Sequence, residues 1–114
     1  DNDTNSLKCI KANVDRARAE GQVKIYRNEA LKSISLLEKN GKCFDIIFAD
    51  PPYNKNLLQK VLEQIKKYHH ILAKDGIIVI EYSQHEIFLL PEGFVQFRQE
   101  KYGETFVSFI KVND

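Results

Sequence analysis

Apolar positions along the chain change their period several times, and each change marks an element. Between residues 4 and 19, Leu7, Cys9, Ile10, Val14 and Ala17 recur at helical spacing. That predicts an amphipathic helix, with Thr4 as its cap and Gly21 past its end. Residues 22–26, Gln-Val-Lys-Ile-Tyr, alternate as a short strand does. A second helix is predicted over 29–39, with Leu31, Ile34 and Leu37 inward and Asn40-Gly41 as its stop. Phe44-Asp45-Ile46-Ile47-Phe48-Ala49 is then almost unbroken apolar sequence, the pattern of a parallel strand buried on both faces. After a Pro-Pro turn, a long helix is predicted over 55–73. Leu58, Val61, Leu62, Ile65, Tyr68 and Leu72 form its inner face, and Lys60, Glu63, Lys66 and Lys67 lie outside. Asp75-Gly76 closes that unit before the strand Ile77-Ile78-Val79-Ile80-Glu81-Tyr82. Two last strands, 94–101 and 105–112, flank a tight turn at Tyr102-Gly103-Glu104.

Helices alternating with strands predict an α/β fold: a mostly parallel sheet covered by helices, with a terminal antiparallel hairpin at its edge. In such sheets ligands bind outside the carboxyl ends of the strands. Asp50-Pro51-Pro52-Tyr53 falls at one of those ends.

Composition narrows the possibilities. With 114 residues, 43% hydrophobic and 29% charged, the chain can build one small core. No apolar run approaches the roughly 20 residues of a membrane span, and the polar start Asp1-Asn2-Asp3-Thr4-Asn5 does not resemble a signal peptide. Cys9 and Cys43 are not spaced as a metal pair, so they are expected to be free thiols in a reducing cytoplasm. His69 and His70 are adjacent and His85 is distant, so no metal site is expected. A net charge of +1 means that any affinity for nucleic acid must come from a local patch or from residues outside this chain. Lys55, next to the Pro-Pro turn, suits contact with a phosphate, though lysines at helix starts are usually just solvated, and the run Lys66-Lys67-Tyr68-His69-His70 reads as a solvated helix face with Tyr68 packed inward. Tyr82-Ser83-Gln84-His85 follows a strand end on the side of the Pro-Pro turn; it suits the mouth of a site, though loop polarity explains it equally well.

Asp50-Pro51-Pro52-Tyr53 carries the most chemistry. Asp50 supplies a carboxylate. Pro51 offers a carbonyl that need not serve a ladder, because Pro52 cannot continue one. The two prolines stiffen the turn and so aim both acceptors. Tyr53 supplies an aromatic face on which a base can stack. This set suits alkyl transfer to an aromatic amine. Such a nitrogen is a poor nucleophile, and acceptors placed on its N–H groups stabilise the charge that develops on it. A plain strand-ending turn also uses Asp and Pro-Pro, but the whole tetrapeptide between a buried strand and an amphipathic helix favours a functional reading.

The tetrapeptide resembles motif IV, (D/N)PP(Y/F/W), of amino-methyltransferases with the Rossmann-like fold. More narrowly, the chain resembles the RsmD family, bacterial methyltransferases that modify the N2 amine of a guanine in 16S ribosomal RNA. The resemblance runs the length of the chain. It rests on Asp1-Asn2-Asp3 followed by Leu7 to Val14 with its Ile10-Lys11-Ala12-Asn13, on Phe44 through Tyr53, and on Lys101-Tyr102-Gly103-Glu104-Thr105 in the closing hairpin.

The resemblance implies S-adenosylmethionine as cofactor and Asp50, Pro51, Pro52 and Tyr53 as the catalytic set, with Asp50 also beside the cofactor. It implies that Asp1 holds the cofactor ribose hydroxyls and that Glu29-Ala30 meets the adenine. Glu29 departs from the family's Asp, and a helix N-terminus also favours an acid there. The family's first strand, its glycine-rich loop and most of strand two find no counterpart. Residues 1–114 are thus expected to be the C-terminal part of a Rossmann-like methyltransferase sheet, a partial domain prone to self-association, poor at binding cofactor and inactive alone. The expected partner is 16S rRNA or a small-subunit assembly particle in the cytoplasm, with no membrane. A DNA adenine or cytosine amino-methyltransferase, or an inactive binding or assembly module, are the alternatives.

Overall fold

A computed structural model describes residues 1–53 and 55–113. The chain divides into two compact units, Asp1–Ser33 and Ile34–Asp114.

The first unit holds helix α1, Thr4–Arg16, whose apolar stripe buries Leu7. The expected cap moves back by one residue. Asp3, not Thr4, stands at the N-cap in an extended conformation, and its carboxylate accepts the Ser6 main-chain N–H and the Ser6 hydroxyl, each at 2.8 Å. Those two hydrogen bonds, the main-chain one first, hold the Asp3 carboxyl below its ordinary value. The helix also ends earlier than Gly21 suggests: Ala17 caps it and Arg18 takes a left-handed φ of 54°. The strand expected over 22–26 is absent. One rung of ladder forms just beyond it. The Asp1 amine donates to the Tyr26 carbonyl at 3.1 Å, and the Asn28 N–H donates to the Asp1 carbonyl at 2.9 Å. A single rung is too little pairing to make a strand, whatever the alternation.

Helix α2, Ala30–Lys39, starts where the Glu29 carbonyl accepts the Ser33 N–H at 3.0 Å. It stops at Asn40-Gly41 as expected. Gly41 takes a φ of 73°, and Lys42 donates back to the Leu37 carbonyl at 2.9 Å. Leu31, Ile34 and Leu37 are half-buried rather than fully inward.

Among the described residues the second unit contains a four-stranded sheet built from β1, Phe44–Ala49, β2, Leu72–Ser83, β3, Phe94–Tyr102, and β4, Thr105–Val112, in the order β1-β2-β4-β3. Only β1 and β2 pair in parallel; β2 with β4 and β4 with β3 are antiparallel. The sheet is therefore mixed, not mostly parallel. A single crossover through helix α3, Leu57–Lys67, supplies its one parallel pair. The hairpin, turning on Gly103-Glu104, lays β4 directly against β2.

Helix α3 is shorter than its pattern suggests. Its stripe of Leu58, Val61, Leu62 and Ile65 is buried as expected. Tyr68 leaves helical geometry, a 3-10 turn follows at His69–Ile71, and Leu72 opens β2 instead of extending the helix. β2 is correspondingly longer than predicted and is kinked at Asp75-Gly76. Asp75 has a φ of 64°, and the pairing with β1 slips between Phe44↔Leu72 and Ile46↔Ile77. Gly76 is required at this kink. A Cβ there would lie 2.7 Å from Leu72 Cδ1 and 2.8 Å from the Ala73 carbonyl oxygen.

The core of this unit lies between α3 and one face of the sheet. Leu58, Leu62, Ile65, Ile78, Ile80, Ile110 and Ser108 are almost wholly excluded from water. β1 does not share in it to the extent its sequence predicts. Ile46 is 64% and Phe48 59% exposed, because β1 is an edge strand within the described residues and its second face is uncovered. Among the described residues no helix is long and apolar enough to cross a membrane.

Candidate functional site

β1 ends at Ala49, in register with Ile80 of β2, and the chain leaves the sheet through Asp50, Pro51 and Pro52. Neither proline has an N–H for a ladder, so pairing stops there. Side chains alternate along β1 and β2, so Ile46 and Phe48 share a face with Ile77 and Val79. Asp50 follows the last registered pair in the turn after β1, and Glu81 follows it within β2, so both residues stand at the carboxyl end of the parallel pair.

They border a hollow of about 390 Å³, together with Pro51, Pro52 and Tyr53. Leu58, at the start of α3, and Thr105, at the start of β4, contribute to its walls. The Tyr53 side chain is 45% exposed, and its ring is open to stack on an entering base. Tyr82 also borders the hollow, but its polar end is engaged. Its hydroxyl lies 2.7 Å from Ser108 Oγ and accepts a hydrogen bond from Gln99 Nε2 at 2.8 Å. Its ring meets Phe88 edge-on, with centroids 4.9 Å apart. Tyr82 is therefore a fixed wall, whereas Tyr53 presents a free face. Among the described residues no Lys, Arg or His borders the hollow. It is a place for hydrogen-bond donors and planar groups, not for a phosphate.

The structure brings the whole expected tetrapeptide into one hollow and adds Tyr82 and Ser83 from the stretch after β2. Gln84, His85 and Lys55 are exposed and do not border it. Sequence reasoning missed Glu81, Glu86 and Thr105, all of which do. Glu81 did leave a signal: a charged residue near the end of an otherwise apolar strand, Ile-Ile-Val-Ile-Glu-Tyr, where burial alone would select another apolar side chain.

The residues expected to meet a nucleoside cofactor lie in the first unit. The bond from Asn28 N–H to the Asp1 carbonyl sets Asp1 beside the Glu29-Ala30 stretch. One oxygen of the Asp1 carboxylate accepts the Asp3 N–H at 2.8 Å, which orients the group and leaves the other oxygen to accept a hydroxyl. Glu29 and Ala30 are exposed at the start of α2. The Asp1 and Glu29 carboxylates are acceptors, of the kind that suits hydroxyl and amine donors. Cys9 and Cys43 are free and exposed.

Residues 1–111 match the profile of a family described as conserved hypothetical protein 95. The chain is 32% identical over 114 residues to YlbH of Bacillus subtilis (strain 168), which is named provisionally as an rRNA methyltransferase; the match covers 97% of this chain and 60% of that protein. It is 28% identical over 82 residues to the ribosomal RNA small subunit methyltransferase D of Buchnera aphidicola, covering 69% of this chain and 42% of that one. The chain thus spans under two thirds of the length of these relatives. In fold it is similar to yhhF of Escherichia coli, named provisionally as a methyltransferase. That TM-score is 0.82 at 16% identity, over 100% of this chain and 62% of the other.

Proposed function

The chain belongs to the conserved hypothetical protein 95 family, the RsmD family, and on that premise we propose that it carries the catalytic half of an S-adenosylmethionine-dependent RNA methyltransferase. Its acceptor is the exocyclic N2 amine of a guanine in 16S ribosomal RNA, met as free RNA or in a small-subunit assembly particle in the cytoplasm. Residues 1–114 form the C-terminal part of a Rossmann-like domain whose first strand, glycine-rich loop and most of strand two precede Asp1. The shorter span relative to the two relatives supports this reading, as does the uncovered apolar face of β1. The observation that carries the functional reading is the hollow itself, where Asp50, Pro51, Pro52 and Tyr53 converge at the carboxyl ends of β1 and β2.

S-adenosylmethionine supplies an activated sulfonium methyl group. Asp1 would hold its ribose, and Glu29-Ala30 its adenine. Asp50 and the Pro51 carbonyl accept the two N–H groups of the target amine. They would orient the nitrogen toward the activated methyl group and stabilise positive charge as the N–C bond forms, the methyl–sulfur bond breaks and the sulfur leaves as a neutral thioether. The nitrogen then returns a proton to solvent. Tyr53 stacks on the base and holds its plane after the base has left any helix it belonged to.

The test is methyl transfer from labelled cofactor by the full-length protein to undermodified 16S RNA, to DNA and to a control lacking both. Label on an RNA guanine is the expected outcome; label on DNA alone, or on neither, overturns the reading. The same assay measures the stacking role. Tyr53→Ala is expected to lose about 1–3 kcal/mol of base engagement, seen as a raised KM for RNA, while Tyr53→Phe keeps most activity. Equal damage in both variants would mean that the hydroxyl, not the ring, is used.

A further inference from the structure

We infer that Glu81 is a specificity-determining residue, which reads the ring N1–H of the target base beside Asp50. The inference rests on the reading of this hollow as the acceptor-base site, and it goes beyond the tetrapeptide to a residue on another strand.

Placement comes first. Asp50 and Glu81 each directly follow the registered pair Ala49↔Ile80, Asp50 in the turn that leaves β1 and Glu81 within β2, and both border the hollow. Parallel strands lie about 4.8 Å apart, so two side chains at this point can reach adjacent groups on a single base. Glu81 is half-buried within a paired strand, which pairs it with Val107 on the other side. Its backbone is therefore fixed as a positioned acceptor requires. Glu86 borders the same hollow from the turn after β2, where its N–H donates to the Ser83 carbonyl at 2.9 Å.

Chemistry follows from placement. An ionised carboxylate only accepts hydrogen bonds. With Asp50, the Pro51 carbonyl and Glu81 around it, and no cationic side chain among the described residues that border it, the hollow favours a base edge with adjacent donors. Guanine presents two such groups in a row, its N2 amine and its N1–H. Adenine and cytosine present an amine next to a bare ring nitrogen, whose lone pair would face the Glu81 carboxylate. Asp50 and Pro51 hold the amine that reacts, and all three bases have an amine. Glu81 meets the neighbouring position, where they differ. A site built to accept a hydrogen bond rejects an analogue that lacks the donor far more strongly than a merely apolar wall does.

The experiment compares two substrates of the full-length protein that keep the reactive amine. One is an RNA oligonucleotide shown to accept label on a guanine; the other has 2-aminopurine in place of that guanine. 2-Aminopurine retains the amine but has no N1–H. The wild-type protein is expected to prefer guanine by at least about a hundredfold in kcat/KM. In Glu81→Gln, whose amide can donate to the bare nitrogen, guanine transfer is expected to fall while 2-aminopurine transfer holds or rises, so the preference shrinks to about tenfold or less. A purely structural role would lower both substrates together and leave their ratio unchanged, and that result overturns the inference. So does a rise confined to the KM for cofactor. Should Glu81→Gln fail to fold, the wild-type comparison still decides: 2-aminopurine used within about tenfold of guanine overturns the inference. Guanine-N2 transfer with an unaltered ratio removes only the role of Glu81, whereas absence of transfer to any RNA guanine removes the underlying reading as well.

Discussion

Replacing Asp50 by alanine in the full-length protein is expected to abolish methyl transfer, by at least about a hundredfold in kcat/KM, and to leave the fold nearly intact. The two halves of this expectation have different causes. Asp50 is exposed at the end of β1, beyond the last registered pair, and takes no part in the core between α3 and the sheet. Removing it costs no apolar burial and breaks no ladder. Asp50 nonetheless borders the hollow, directly before two consecutive prolines, and a methyl group in its place offers no acceptor to an amine gaining positive charge. Labelled transfer read alongside a thermal melt checks both halves. An unchanged melt with turnover near that of wild type would falsify the catalytic assignment.

The 114-residue chain expressed alone is expected to bind S-adenosylmethionine no tighter than about 1 mM, some thousandfold or more short of a micromolar site's affinity, and to associate with itself. Of the cofactor contacts that the resemblance implies, Asp1 and Glu29-Ala30 lie in a unit whose expected strand makes only one rung of ladder. In the other unit, Ile46 and Phe48 leave an apolar face of an edge strand in water. Unpaired, apolar strand edges recruit other chains. Calorimetry with the cofactor and sedimentation of the isolated chain test the two parts. A stable monomer that binds cofactor at low micromolar concentration would show that the cofactor site, and with it the role of Asp1, has been misplaced.

The candidate site was more legible in the sequence than the sheet around it. Asp50-Pro51-Pro52-Tyr53 announces itself because prolines end pairing wherever they fall, and the structure sets all four residues around one hollow. Helix α3 was legible in its buried stripe, since helical periodicity reports which side faces a core. Its end was not. Leu72 sits at helical spacing from Tyr68, yet the kink at Asp75-Gly76 draws Leu72 into β2, and a left-handed φ at an aspartate leaves no mark in hydropathy. The parallel character of the sheet was over-read because apolar runs in β1 and β2 report burial, not direction. β4 lies antiparallel against β2 and buries Ile78 and Ile80 as well as a parallel neighbour would. Residues 22–26 alternate correctly and still form no strand, because a strand is a property of two segments and alternation describes only one. Glu81 went unread for a related reason: its partner in the hollow is set by the register between β1 and β2.

Among the described residues, Ser108 is the sole polar one with a wholly buried side chain, and it joins the Tyr82 hydroxyl to a network that Gln99 of β3 completes. A hairpin paired one residue out of step would turn Ser108 and Gln99 to the opposite face of the sheet. The hydroxyl of Tyr82 would then lose both partners while half-buried, and one wall of the hollow would lose its anchor. The outermost strand, none of whose described residues borders the hollow, therefore acts as a gauge of correct assembly: only a hairpin folded in the right alignment yields a mouth of the right shape. A substitution at Gln99 would leave the Tyr82 hydroxyl held by Ser108, so a change on the outer strand reaches one wall of the mouth through a single hydrogen bond.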